Sequence, residues 1–365
     1  MVEQAPRATS PTGTAVELRG VWKTYRQHQR SGRLVDLPRN LLRPTVRLVP
    51  ALRGIDLTVD HGEVVAYAGP NGAGKSTTVK LLSGLLAPDA GTVRSLGLDP
   101  VRDRVRYVGR IGVVFGQRTE LWWDHPVAAS FAWKRVVWDI PRERYERMLG
   151  VVRELLALDE FFESLTRELS LGQRMRADLG LALLHEPDIL FLDEPTIGLD
   201  VLARRRVLQF VKELNRERGV TVMVTSHDMA ELEQLAGRIV VLHQGAIAFD
   251  GDFLRLRRTF ADRRVLVIET SAPTAPALAG AELVGSAAGR HEYTFDASRV
   301  KLADLLAQAS AQTEVHDVET HRAPIDDVVA DLYQRWLDDG ATRTSGPSTG
   351  GGSSRHASAA QDERT

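Results

Sequence analysis

The chain has 365 residues, 43% of them hydrophobic and 26% charged, with a formal net charge of −1. Its length exceeds one ordinary domain, and its composition supports a packed core rather than a fibrous or disordered chain. The absence of cysteine excludes disulfides, thiolate metal sites and cysteine nucleophiles, and the near-neutral charge gives no reason to expect bulk attraction to nucleic acid.

Residues 1–15 are polar, so neither a secretory signal nor a packed element is expected of them, and no run of roughly 18 apolar residues offers a membrane span. Residues 26–53 hold seven arginines (26, 30, 33, 39, 43, 47 and 53) against one acid, Asp36, interleaved with Leu and Val. Two readings of this basic insertion stand side by side: a surface resting on acidic lipid headgroups or a partner, and a solvated loop. The apolar run 64–68 then leads into GPNGAGKST and a helix-like stretch from Thr77. Strand, glycine loop and helix in that order form the context a phosphate-binding loop requires. The loop Gly69, Pro70, Asn71, Gly72, Ala73, Gly74, with Thr77 behind it, would close its backbone N–H groups around phosphate oxygens, backed by the positive end of the helix. Lys75 would reach the β- and γ-phosphates, and the Ser76 hydroxyl would ligate Mg²⁺.

Further along, apolar runs at 111–115, 189–192 and 220–224 read as buried parallel strands, with a crossover helix over 204–218 between the last two. Residues 118–169 should form a helical lobe carrying Trp122, Trp123, Phe131, Trp133 and Trp138, either as core or as an exposed contact face. LSLGQ, residues 169–173, precedes a helix predicted over 174–184. Ser170 stands where an N-cap belongs, and its hydroxyl, the Gly172 amide and the helix end would also make a second anion site. The run 189–192 ends in Asp193 and Glu194. A buried strand delivering Asp at its carboxyl end places an oxygen beside phosphates, which suits Mg²⁺, and Glu194 is then placed to polarise an attacking water. A strand that merely ends in a polar turn has the same look. Beyond 262 the pattern is strand 265–268, strand 292–295, helix 300–309, strand 314–319 and helix 325–338, the last with apolar residues at i, i+3, i+4 spacing. The Ser/Gly-rich tail 340–365 lacks apolar residues to pack and is expected to stay unstructured.

The order of glycine loop, Gln117, LSLGQ, ILFLDEP, the run Ile197, Gly198, Leu199, Asp200, and then His227 resembles the ATP-binding-cassette (ABC) ATPases over about residues 16–258. The stretches VFGQRTELWWDHPV, LSLGQRMRADL and LDEPTIGLD look closest to a bacterial subgroup serving ABC-2-type transporters, some of them exporters. The resemblance implies an α/β fold, a P-loop NTPase of ABC type with a helical lobe, followed by a small C-terminal α+β accessory domain. The corresponding division is a disordered lead 1–15, an ATPase domain 16–258 containing the insertion 26–53 and the lobe 118–169, the accessory domain 262–338, and the tail 340–365. It implies ATP and Mg²⁺ as ligands, Tyr25 stacked on adenine, and Gln117 touching Mg²⁺ and the attacking water. Ser170, Gly172 and Gln173 would contact the γ-phosphate held by another subunit, Asp200 would lie on the loop crossing between subunits, and His227 would bridge γ-phosphate and Glu194. Leu171 stands where the family usually has glycine; its backbone amide remains. The implied partners are integral-membrane permease subunits and a second ATPase subunit, identical or paralogous, with no nucleic acid, at the cytoplasmic face of the inner membrane. The alternative, a soluble cassette ATPase acting on nucleic acid or ribosomes, is disfavoured by a single cassette, no long heptad insertion and no cysteine.

Overall fold

The computed structural model describes residues 13–29, 45–116, 118–259 and 263–322, together with Ile325, Val329 and Leu332. The tail 340–365 and residues 30–44 of the basic insertion lie outside the described residues. Strands β1 (Thr14–Gln29) and β2 (Thr45–Asp60) pair antiparallel. Strand β3 (Val64–Ala68) passes through the glycine loop into helix α1 (Lys75–Leu82), and β4 (Ala90–Ser95) returns to pair with β1. Helix α2 (Arg104–Val108) precedes β5 (Ile111–Phe115). The lobe follows, with α3 (Val127–Val137) and α4 (Arg142–Leu155), then α5 (Leu171–Leu183), β6 (Ile189–Asp193), α6 (Val201–Arg218) and β7 (Thr221–Thr225). Helix α7 (Met229–Leu235), β8 (Arg238–His243), β9 (Ala246–Gly251) and α8 (Phe253–Thr259) complete the body.

The main sheet has the order β5-β6-β7-β3-β8-β9, parallel except for β9. Strand β6 shows why its sequence is an unbroken apolar run. Ile189 and Phe191 point into a core shared with Leu57, Val65 and Tyr67 beneath the antiparallel sheet. Leu190 and Leu192 point the other way, into a core with Phe131, Leu179 and Phe210 of the helices. Both faces are covered, so no position alternates to polar. Each such side chain contributes about 1.5–3 kcal/mol by burial. With β3, β5, β6, β7 and β8 parallel, their carboxyl ends share one edge of the sheet, where an open α/β sheet presents its ligand site.

Several elements differ from expectation. Residues 26–29 and 45–53 of the basic insertion belong to β1 and β2, with Arg26 opposite Leu48 and Gln27 opposite Arg47, so the insertion's flanks are arms of a hairpin. Strand β1 starts at Thr14, and Ala15 is buried, so packing begins inside the expected polar lead. The lobe's aromatics divide. Phe131 is wholly buried, whereas Trp122, Trp123 and Trp133 are about 36%, 50% and 42% exposed.

After residue 262, β10 (Arg263–Thr270), β11 (Ala281–Ala287), β12 (Arg290–Asp296), α9 (Leu302–Ser310) and β13 (Val315–Arg322) build a sheet of order β11-β12-β10-β13. Its own core holds Leu266, Ile268, Tyr293, Phe295 and Leu305. Strand β11 gave no sequence signal because it is an edge strand whose side chains are mostly exposed. Of the helix read over 325–338, Ile325, Val329 and Leu332 are helical and buried. They join the large core of the body with Phe253 and Leu256, not the core of the small sheet. Among the described residues, no helix is long and apolar enough to cross a membrane.

Candidate functional site

The glycine loop wraps into α1 at Gly74, whose φ of 115° is closed to most side chains. A Cβ there would also lie 2.6 Å from the Ala51 carbonyl oxygen and from Leu52 Cδ2. The loop therefore bears directly on β2, and the two together border a cavity of about 590 Å³. Tyr25, Pro70, Asn71, Gly72, Gly74, Lys75, Ser76, Thr77, Glu194 and His227 line it. Gly69 and Ala73 lie in the same loop without lining it. Ile197, of the run 197–200, lines it as well, and so do Val49, Pro50 and Ala51, which were not anticipated because a strand upstream of the loop carries no local mark of facing it.

Lys75 is 7% exposed. Its Nζ donates to the Gly69 carbonyl at 2.7 Å and lies 3.9 Å from Glu194 Oε1. Burial pulls its pKa below the usual lysine value, opposed by the Glu194 and Asp193 carboxylates. The site thus holds a desolvated cation against two acids, an arrangement suited to a polyanionic ligand.

Asp193 ends β6 in register with Thr225 at the end of β7. Its Oδ1 accepts from the Thr225 hydroxyl at 2.7 Å and from the Ser76 hydroxyl at 3.2 Å. Serine and carboxylate oxygens at this spacing, beside a phosphate-binding loop, are the hard donors that Mg²⁺ takes, so the residues present fit that ion. Thr225 is another residue that sequence reading missed. It is fully buried, and its Oγ1 also accepts from Glu194 N at 3.0 Å. The available signal was a hydroxyl closing an apolar strand just before Ser226 and His227.

Glu194 has φ of +55°, a left-handed conformation that costs a non-glycine residue about 1–3 kcal/mol. Its N–H is held by the carbonyl as well as the hydroxyl of Thr225, and its Oε2 lies 2.7 Å from His227 Nδ1. A carboxylate can only accept, so Nδ1 donates. From behind, Gly116 donates its N–H to the Asp193 carbonyl at 2.8 Å, and a Cβ at Gly116 would run into the Glu194 carbonyl oxygen. Gly116→Ala is accordingly expected to displace Glu194 and lower the rate of any hydrolysis there roughly 100-fold, with a folded spectrum by circular dichroism. A wild-type rate in that variant would show that the close approach has no bearing on the site.

The remaining candidates among the described residues do not line this cavity. Gln117 lies outside the described residues. Ser170 caps α5: its hydroxyl accepts from Gln173 N at 3.2 Å while Gln173 Oε1 accepts from Ser170 N at 2.8 Å. That capping box satisfies two orphan backbone donors reciprocally, so the N-cap reading describes the local geometry. Gly172 packs on α6, where a Cβ would lie 2.8 Å from Ala203 Cβ. Asp200 caps α6 by accepting from Leu202 N and Ala203 N, both at 2.9 Å. Ser170, Gly172, Gln173 and Asp200 thus share a neighbourhood at the starts of α5 and α6, and none of them lines the cavity.

The family model described as ABC transporter matches residues 52–197. The chain is similar to the ABC transporter ATP-binding protein NatA of Bacillus subtilis, 30% identical over 205 residues, 56% of this chain and 83% of that protein. It is 34% identical over 212 residues to the energy-coupling factor transporter ATP-binding protein EcfA of Methanothermobacter thermautotrophicus, covering 57% of this chain and 68% of that one. Among solved structures, a dimeric post-hydrolysis state of the ATP-binding cassette MJ0796 with ADP and Pi aligns with a TM-score of 0.55 and 26% identity, over 65% of this chain and 98% of that one.

Proposed function

The chain belongs to the ATP-binding proteins of ABC transporters, with their P-loop NTPase fold and ATPase activity, and from that premise we propose that it powers export through separate membrane permeases of the ABC-2 type. The observation that carries the reading is the convergence of Lys75, Ser76, Glu194 and His227 from three separate segments on one cavity, with Asp193 bonded to Ser76 beside it.

In this reading the loop amides and Lys75 hold the β- and γ-phosphates, and Tyr25, whose hydroxyl reaches Thr77 Oγ1 at 3.3 Å, packs on the adenine. Ser76 and Asp193 would hold Mg²⁺, which when bound neutralises charge on the phosphates. Glu194 orients water and accepts its proton, its carboxylate fixed by His227 on one oxygen and its backbone fixed by Thr225. Gln117 senses the γ-phosphate. Because Ser170, Gly172, Gln173 and Asp200 lie away from their own chain's cavity, they serve the nucleotide of a second subunit, identical or paralogous, and ATP joins the two. The exposed indoles of Trp122, Trp123 and Trp133, the first and last 5.1 Å apart, offer the permease an aromatic surface. The protein then sits peripherally at the cytoplasmic face of the membrane.

The test is a pull-down of tagged Glu194→Gln protein with ATP from detergent-solubilised membranes, read by mass spectrometry. A stoichiometric polytopic membrane protein is expected, and its family identifies the permease type. Recovery only from the soluble fraction, with ribosomal or nucleic-acid-bound partners, would overturn the transporter reading.

A further inference from the structure

One buried carboxyl takes no part in the chemistry above. Asp178 lies two turns into α5 and is 7% exposed, and its Oδ1 accepts from Thr119 Oγ1 at 2.9 Å and from Glu120 N at 3.0 Å. One turn nearer LSLGQ, the signature segment at residues 169–173, the Arg174 guanidinium lies 4.7 Å from the ring centre of Trp123. Residues 170, 174 and 178 are spaced by four and share a helix face. Helix α5 therefore grips residues 119–123 at successive turns with the face that begins at Ser170. Upstream of position 117, Gly116 is pinned to the Asp193 carbonyl. The chain is thus tied on one side of Gln117 to the strand bearing Asp193 and on the other to the helix headed by the signature.

Asp178 is costly where it stands. Burial pushes its carboxyl up to about 7, although both hydrogen bonds pull it down; the Glu120 carboxylate adds to the rise and Arg174 opposes it. A desolvated acid at a loop–helix junction is better accounted for by what it holds in place than by the stability it contributes.

We propose that Asp178 is a positioning residue that fastens the segment leaving Gln117 to the signature helix, so that displacement of either is carried to the other. The inference rests on the roles of Gln117 and the signature given under the proposed function. In the full chain, Asp178→Ala is expected to lower kcat roughly 10- to 100-fold with KM for ATP unchanged, as misplacement of a reacting geometry does. Asp178→Asn keeps an oxygen able to accept both bonds and should restore most of that rate. Thr119→Ala should lose part of it, and should cost nothing further on the Asp178→Ala background, since both changes break one contact. Thr119→Ala also carries the test should Asp178→Ala fail to fold. A wild-type kcat in Asp178→Ala or Thr119→Ala, equal losses in Asp178→Ala and Asp178→Asn, or a change confined to KM would overturn the proposal. Gln117→Ala, measured alongside, separates the two ideas. A low kcat there with a wild-type kcat in Asp178→Ala sinks the fastening alone, whereas a wild-type kcat in Gln117→Ala sinks both.

Discussion

Glu194→Gln is expected to reduce ATP turnover by about 10²- to 10⁴-fold, the range typical of losing a positioned general base, while ATP affinity stays unchanged. The amide matches the carboxylate in shape and keeps an oxygen to accept from His227 Nδ1, the contact now seen at 2.7 Å. The backbone brace is untouched, because Thr225 holds the Glu194 N–H and not its side chain. What is removed is the negative charge, which lies 3.9 Å from Lys75 Nζ, and with it the capacity to take a proton. Turnover under saturating ATP, with binding measured by calorimetry, separates the two quantities. Size-exclusion chromatography with ATP should show a trapped dimer, since the joined state persists when hydrolysis cannot end it. Wild-type turnover in this variant would remove Glu194 from the chemistry and leave the cavity a binding site only.

The second large effect is on binding. Lys75→Ala removes a buried ammonium that faces the Glu194 and Asp193 carboxylates. Hydrogen bonds to charged groups contribute about 1.5–3 kcal/mol, so ATP should bind roughly 10- to 100-fold more weakly. The fold has little reason to suffer: burial disfavours the charged amine, and it donates to the Gly69 and Pro70 carbonyls of its own loop. The variant should therefore keep its circular-dichroism spectrum and unfolding midpoint while losing affinity in calorimetric titration. Unchanged affinity would mean that the loop amides hold the phosphates without the lysine.

That these two residues would lie together with Ser76 and Asp193 was expected from the chain's local pattern, and so was the α/β nature of the body, whereas His227 was expected only through the family resemblance. The reason is local. A glycine loop that turns directly into a helix gathers its donors within nine residues, and an acid that ends a buried strand is delivered to the sheet's carboxyl edge by the strand itself. Spacing along the chain is then spacing in the site. The capping pattern of Ser170 and Gln173 is equally local, three residues apart on one turn.

What joins distant segments left no such trace. Thr225 meets Asp193 only because β6 and β7 are neighbours in register, 32 residues apart in sequence. Val49 to Ala51 border the cavity because β2 passes the glycine loop, and Asp178 meets Thr119 across 59 residues. Ile325, Val329 and Leu332 show an apolar helical period that names a buried face, but not which core receives it; packing placed them against the body and not the small sheet. Periodicity and motif spacing record how a segment satisfies its own backbone and which side it hides from water. Which distant surface covers that side is set by the cooperative packing of the whole chain.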